Sequence, residues 1–268
     1  MTVRTGPGSR AVAAAGGVVL VAIVLGCGVA APPEPRRGEG PGGREQPLAL
    51  SPRQELAVGL RAYREVMEEY GGRVLPAGAP EVRRVRRVTD RIARAAEIEP
   101  LQREINLRVR GYRFEWEANV IRERQANAFC LPAGKVFVFT GLLPVAADDG
   151  QLAAVLSHEI AHALAHHASE RVARERSGGN VLSNLRYDRM QESEADHIGV
   201  FLMPFAGYDP DEAVAFWERM LARGGQAMPE FLSDHPSPEH RIRDLRQWAP
   251  RAKAAKAAYD RDDIAPPR

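Results

Sequence analysis

The chain has 268 residues, a formal net charge of +2 and seven histidines. Its positive charge is nearly all arginine, with lysine only at positions 135, 253 and 256, and no aromatic interleaving or glycine-rich phosphate loop suggests a nucleic-acid partner or nucleotide chemistry. Only two cysteines occur, Cys27 and Cys130, and acylation of the first would exclude both a disulfide and a cysteine-based zinc site.

Arg4 and Arg10 give a short basic start, followed by an uncharged apolar run from Ala11 to Leu25. That length is short for a membrane span and right for the apolar stretch of a signal peptide. Val24-Leu25-Gly26-Cys27 is similar to a bacterial lipoprotein box, although Leu25 is larger than usual at its position. Cleavage near Ala30 or Ala31 and an uncleaved N-terminal anchor are the alternatives. Residues 1–27 are therefore expected to be a signal peptide and lipoprotein box, and 28–47 a flexible tether marked by Pro32-Pro33 and Gly40-Pro41-Gly42-Gly43. Residues 48–268 are enough for one domain with a core. The implied location is an exported one in the cell envelope, attached to a membrane through a lipid anchor or the N-terminal segment.

Within the domain, Ser51 caps a helix that has Pro52 at its first position and Gln54 at the capping-box site, running to Tyr70 before Gly71-Gly72. A second helix is predicted from Glu81 to Glu97. It carries Arg83, Arg84, Arg86, Arg87, Arg91 and Arg94 over several faces, a pattern that suits solvation or contact with anionic lipid. Alternating apolar and polar residues predict strands over Ile105 to Arg110 and Glu115 to Ile121, and Val136 to Phe139 is a short β-rich run. Helices are predicted from Gly141, from Asp149 through His167, from Arg189 through Phe205, and from Asp211 through Ala222 after Pro210. The fold class expected is mainly α with a small β-sheet (α+β). Met190, Met203, Met220, Phe201, Phe205, Phe216 and Trp217 read as core packing.

The chemistry is concentrated in His158-Glu159-Ile160-Ala161-His162, an H-E-x-x-H pentapeptide inside a helical run. Side chains four apart stack on one helix face, so both imidazoles reach a single metal ion while Glu159 stands beside it as general base. His166, eight residues beyond His158, is about 12 Å further along the axis and too far to share the metal. It and His167 read as polar residues at a helix end. Ala165 and Ala168 stand where a metzincin needs Gly and His, and Val181 and Leu182 where a thermolysin-like enzyme needs its glutamate. Glu192-Ser193-Glu194-Ala195-Asp196 then opens another helix. Glu192 and Asp196 are four apart, so one carboxylate can bind zinc while the other accepts the spare N–H of a ligand imidazole. His197 reads as exposed or as backing for a ligand.

Further motifs accompany that cluster. Gly199 and Ala206-Gly207-Tyr208-Asp209-Pro210 follow it, and Asn127-Ala128-Phe129-Cys130-Leu131-Pro132-Ala133-Gly134-Lys135-Val136 and Thr140-Gly141-Leu142-Leu143 precede it. Asp234-His235-Pro236-Ser237-Pro238 and Arg241-Ile242 come after. In this order, from Asn127 to Ile242, the chain resembles the HtpX/BepA/Oma-type zinc metalloendopeptidases, gluzincin relatives of the CAAX prenyl endopeptidases. The resemblance implies a zincin-type domain holding one Zn2+ per chain, with Glu192 rather than Glu194 as third ligand and His235 near the metal. Two departures stand out. The segment between His162 and Glu192 is shorter than the family's, which implies a trimmed roof over the site, and Ala133 replaces a glycine where a tight turn calls for positive φ.

The implied mechanism uses zinc on His158, His162 and Glu192, with Glu159 taking the water proton and passing it to the leaving amine. Asp196 orients a ligand imidazole, and His235 stabilises the oxyanion or acts as a reversible fourth ligand. An extended or unfolded polypeptide would pair with the edge of the Val136–Phe139 strand, which suits clearance of misfolded or unassembled proteins. The alternatives are a zinc-binding, chaperone-like lipoprotein without proteolysis, and a structural lipoprotein in which the pentapeptide is accidental.

Overall fold

The computed structural model describes residues 43–178, 181–222 and 238–261. The apolar run from Ala11 to Leu25, Cys27, and the loop with His235 lie outside the described residues.

Helix α1 (Pro52–Tyr70) opens on the expected capping box: the Ser51 side chain accepts from the Gln54 amide, and the Ser51 amide donates to Gln54 Oε1 at 2.8 Å. Helix α2 (Pro80–Ala96) buries Val82, Val85, Val88, Thr89 and Ile92 at helical spacing. Much of its arginine cluster is turned to intramolecular use rather than to lipid. Arg84 and Arg87 hold Asp149 at 2.9 and 2.8 Å, Arg86 donates to the Ala118 carbonyl, and Arg91 lies over the Tyr208 ring.

Helix α3 (Glu99–Glu104) follows, and the strand expected over Ile105 to Arg110 does not form. Ile105 caps α3, Asn106 takes a left-handed φ of 51°, and the Leu107 amide turns back to the Gln102 carbonyl. Ile105, Leu107 and Val109 alternate like a strand, yet they pack on the core without a neighbouring strand to pair with.

Strands β1 (Glu117–Ile121), β2 (Ala128–Leu131) and β3 (Lys135–Phe139) form one sheet in the order β1-β3-β2, with β1 parallel and β2 antiparallel to β3. β3 is central, which explains its uninterrupted apolar sequence: Val136 and Val138 face the main core, Phe137 and Phe139 face α1 through Ala62 and Val66. The turn into β3 places Ala133 at φ 74° and Gly134 at φ 83°, so the expected left-handed alanine is present, at a cost of about 1 kcal/mol.

The helix expected from Gly141 is only a 3-10 turn, Thr140–Leu142. Helix α4 (Asp149–Leu164) is capped by Asp148 and buried on nearly every side, packing against α2, β2 and the later helices. It ends three residues earlier than predicted. His166 adopts φ 56°, held by Glu55 Oε1 and the Arg108 carbonyl, each at 3.0 Å, and by the stacked Tyr112 ring. Helix α5 (His167–Arg176) starts immediately after. Helices α6 (Val181–Phe205), α7 (Asp211–Ala222) and α8 (Pro238–Asp260) complete the domain, α6 lying along both α4 and α8. Met203, Met220, Phe201, Phe216 and Trp217 are buried as expected.

Candidate metal centre

The site is built where α4 crosses α6. Both helices bring a pair of polar residues four apart to the crossing, His158 and His162 from α4 and Glu192 and Asp196 from α6. His158, Glu159, Glu192 and Asp196 are each no more than 5% exposed. The Nε2 atoms of His158 and His162 stand 3.1 Å apart, and the Glu192 carboxylate lies 3.3 Å from each. These three residues form the one cluster among the described residues whose ligand atoms could share an ion.

Hydrogen-bond geometry on the outer side of each ring fixes what the inner side offers. His158 Nδ1 lies 3.0 Å from Asp196 Oδ1, so its proton is directed there and Nε2 keeps its lone pair. Arg241 Nη2 lies 2.9 Å from the same Nδ1, 3.3 Å from His158 Nε2 and 2.5 Å from Asp196 Oδ1, so guanidinium and ring share that oxygen as acceptor. On the other ring, His162 Nδ1 meets His167 Nδ1 at 2.8 Å.

Two imidazole nitrogens and a carboxylate converge across 3.1–3.3 Å, and with Nε2 unprotonated on both rings their lone pairs present a donor set for a cation beside the Arg241 guanidinium. A tetrahedral zinc with ligands at about 2.0–2.1 Å sets its donors about 3.3–3.4 Å apart, so the donor set and its spacing fit that ion. The protonation balance agrees. Burial lowers the His162 pKa against the pull of Glu192, favouring the neutral ring a metal needs. Asp196 stays below its usual range, because Arg241 and His158 outweigh the burial that would raise it.

Arg241 of α8 is a participant that sequence reasoning quoted without giving it work. It is buried, donates through Nε and Nη2 to the two Asp196 oxygens and through Nη1 to Glu192 at 3.2 Å, and lies 3.8 Å over the Trp217 ring. A signal was available: an arginine downstream of a ligand carboxylate and a second one backing a ligand histidine is a natural counter-charge. His166 and His167 are buried parts of the α4–α5 junction rather than solvated helix-end residues, and His197 rests against the Phe201 and Trp248 rings. Burial, and after it the charge of Glu159, pushes the Cys130 thiol pKa upward.

Comparison with known proteins agrees with this geometry. Peptidase family M48 matches residues 82–182 and 176–249. This chain belongs to that family. It is 40% identical over 229 residues to the mitochondrial metalloendopeptidase OMA1 of Schizosaccharomyces pombe, an alignment covering 77% of this chain and 64% of the relative. The Saccharomyces cerevisiae mitochondrial metalloendopeptidase OMA1 is 33% identical over 226 residues, covering 74% and 64%. The beta-barrel assembly-enhancing protease of Escherichia coli is 28% identical over 163 residues, covering 48% and 34%. The chain thus spans less than two thirds of the length of either yeast relative. These matches overturn the expected cell-envelope location. The relatives with higher identity and broader coverage are named as mitochondrial, not as envelope proteins.

Proposed function

We propose that this M48 domain is a zinc-dependent metalloendopeptidase that cuts extended or unfolded polypeptides, as in the removal of misfolded or unassembled proteins. The observation that carries the reading is the triangle of His158 Nε2, His162 Nε2 and the Glu192 carboxylate, beside a buried Glu159. Two imidazoles and one carboxylate are a zinc donor set that leaves a coordination position open. When bound, the ion supplies Lewis acidity to the scissile carbonyl and to the attacking water. Glu159 takes one proton from that water as its oxygen bonds to the carbonyl carbon, then delivers the proton to the leaving nitrogen as the C–N bond breaks. Asp196 holds the His158 ring in the tautomer that exposes Nε2. His235, outside the described residues, is proposed as an oxyanion donor on the strength of the family resemblance alone.

The substrate edge differs from the one the sequence suggested. β3 has partners on both sides, so it has no edge to offer. The outer side of β1 is occupied by the 73–75 segment through the Leu75 amide to Val120 and the Arg122 amide to Arg73. Among the described residues that leaves β2, an edge strand packed against α4, as the strand that can pair with an extended chain. We take the domain as residues 48–268 with 43–47 joined to it, and the apolar run from Ala11 to Leu25 as its membrane-associating segment.

The test is cleavage of an unfolded casein-like protein by the whole chain, with new termini read by mass spectrometry. Internal cleavage abolished by a chelator, restored by zinc and reduced by several orders of magnitude in Glu159→Gln supports the reading. Cleavage that persists under chelation, or Glu159→Gln activity within about tenfold of wild type, would overturn it.

A further inference from the structure

A second polar cluster lies behind the metal centre, away from Glu159. His167, at the first position of α5, is 1% exposed. Its Nδ1 faces His162 Nδ1 at 2.8 Å, and its Nε2 faces Glu194 Oε2 at 3.1 Å. Glu194 is in turn gripped by Arg44 through both oxygens, one contact at 2.7 Å, and Arg44 also donates to both oxygens of Glu170 at 2.6 and 2.7 Å. Gln191 Nε2 closes the cluster on Glu170 at 3.0 Å. His167, Glu194, Arg44, Glu170 and Gln191 have no part in the mechanism above.

The direction of the protons follows from the acceptors. A carboxylate that accepts two guanidinium bonds presents lone pairs, so His167 must donate to it through Nε2–H. A neutral imidazole with its proton on Nε2 has a lone pair on Nδ1. The proton between the two Nδ1 atoms therefore belongs to His162, whose Nε2 is left with its lone pair toward Glu192. His158 reaches the same state through Asp196, so each ligand histidine has its own backing group.

We propose that His167 is a positioning residue for the metal centre: by accepting the Nδ1 proton of His162 it holds that ligand's Nε2 toward Glu192, with Glu194 and Arg44 fixing its own ring. The inference rests on the zinc reading above for its function, though not for its geometry. Arg44 carries the chain that precedes the domain, so the segment 43–47 reaches a metal ligand through three side chains. A backing partner of this kind is worth about 10- to 100-fold in metal affinity.

The experiment uses the full-length protein and two readouts. Zinc affinity by chelator competition should weaken about 10- to 100-fold in His167→Leu, which has no acceptor. It should return to within about threefold of wild type in His167→Asn, whose Oδ1 takes the place of Nδ1. Nitrogen-15 spectra of the metal-free protein should show His162 as the Nδ1–H tautomer in wild type and a mixture of tautomers in His167→Leu. Should the leucine variant fail to fold, wild type and Glu194→Gln answer by the same spectra, with the glutamine variant expected to lose part of the Nδ1–H preference. An Nε2–H tautomer for His162 in wild type, or unchanged zinc affinity in a folded His167→Leu protein, would overturn the proposal. A wild-type protein that takes up no zinc would sink the metallopeptidase reading instead, while the tautomer spectra would still decide the role of His167.

Discussion

Gly199 lies tight against the backbone of His158: a Cβ on Gly199 would lie 3.0 Å from the His158 nitrogen and 3.1 Å from the Ser157 carbonyl carbon, closer than ordinary contact. The contact lies on the α4–α6 crossing that carries Glu192 and the two imidazoles. Gly199→Ala must open the crossing by a few tenths of an ångström without touching a ligand. The expected outcome is a destabilisation of about 1–2 kcal/mol by denaturant titration. Zinc affinity should fall as well, because ligand spacing is displaced. Loss of stability with unchanged affinity would mean that the crossing can relax without moving Glu192.

Glu192 and Glu194 are two residues apart on one helix and do different work. Glu192 touches both Nε2 atoms, while Glu194 touches His167 and Arg44 among the described residues. Glu192→Ala should abolish stoichiometric zinc binding in elemental analysis after gel filtration. Glu194→Ala should retain zinc at saturating concentration and weaken affinity by about tenfold. Equal metal loss in both variants would count against this division.

The sequence made the site legible because its information is local. H-E-x-x-H and the Glu192–Asp196 spacing each read directly as one helix face, and the Ser51 capping box marks the start of α1 to the residue. What it hid depends on tertiary partners. Ile105 to Val109 alternates like a strand, but alternation does not say whether a neighbouring strand exists. The run from Asp149 to His167 has no proline or glycine at its break. The helix ends because Glu55, Arg108 and Tyr112 trap His166 in a left-handed conformation, and these partners lie 54 or more residues away. Arg44, at the end of a proline- and glycine-rich stretch, read as tether, and only the fold shows it inside an ion-pair cluster.

Glu170 gives the stability a defined pH dependence. Its side chain is fully buried and its pKa is lowered: burial alone would raise it, but Arg44 and Gln191 outweigh burial. A carboxyl depressed on folding contributes stability above its unfolded value, about 4.3, and loses that contribution as pH falls through the folded value. Denaturant unfolding in the presence of chelator should therefore show wild-type stability dropping below about pH 4.3, with a shallower acid limb in Glu170→Gln. Arg44→Ala leaves the buried Glu170 and the part-buried Glu194 without their cation and should cost about 3 kcal/mol at pH 7. An acid limb identical in wild type and Glu170→Gln would show that the cluster is not what the acid transition titrates.

Arg241 is the group whose loss the fold should tolerate least. It is a fully buried cation that forks onto Asp196, reaches Glu192 and stacks on Trp217, and Asp196 keeps its pKa low largely because of it. Removing one partner of a buried pair strands the other, so Arg241→Ala should lose about 3–5 kcal/mol. Arg241→Lys keeps a charge but neither the two-pronged contact nor the planar stacking, and should recover less than half of that loss. The double variant Arg241→Met with Asp196→Asn removes both charges. It should be more stable than Arg241→Met alone, by about 1–3 kcal/mol, because the Asp196 carboxylate is no longer stranded and only Glu192 has lost its cation. That outcome would assign the cost to stranded charge. A double variant as unstable as the single one would assign it to lost packing over Trp217, and a fully stable Arg241→Ala would remove Arg241 from the account of the site.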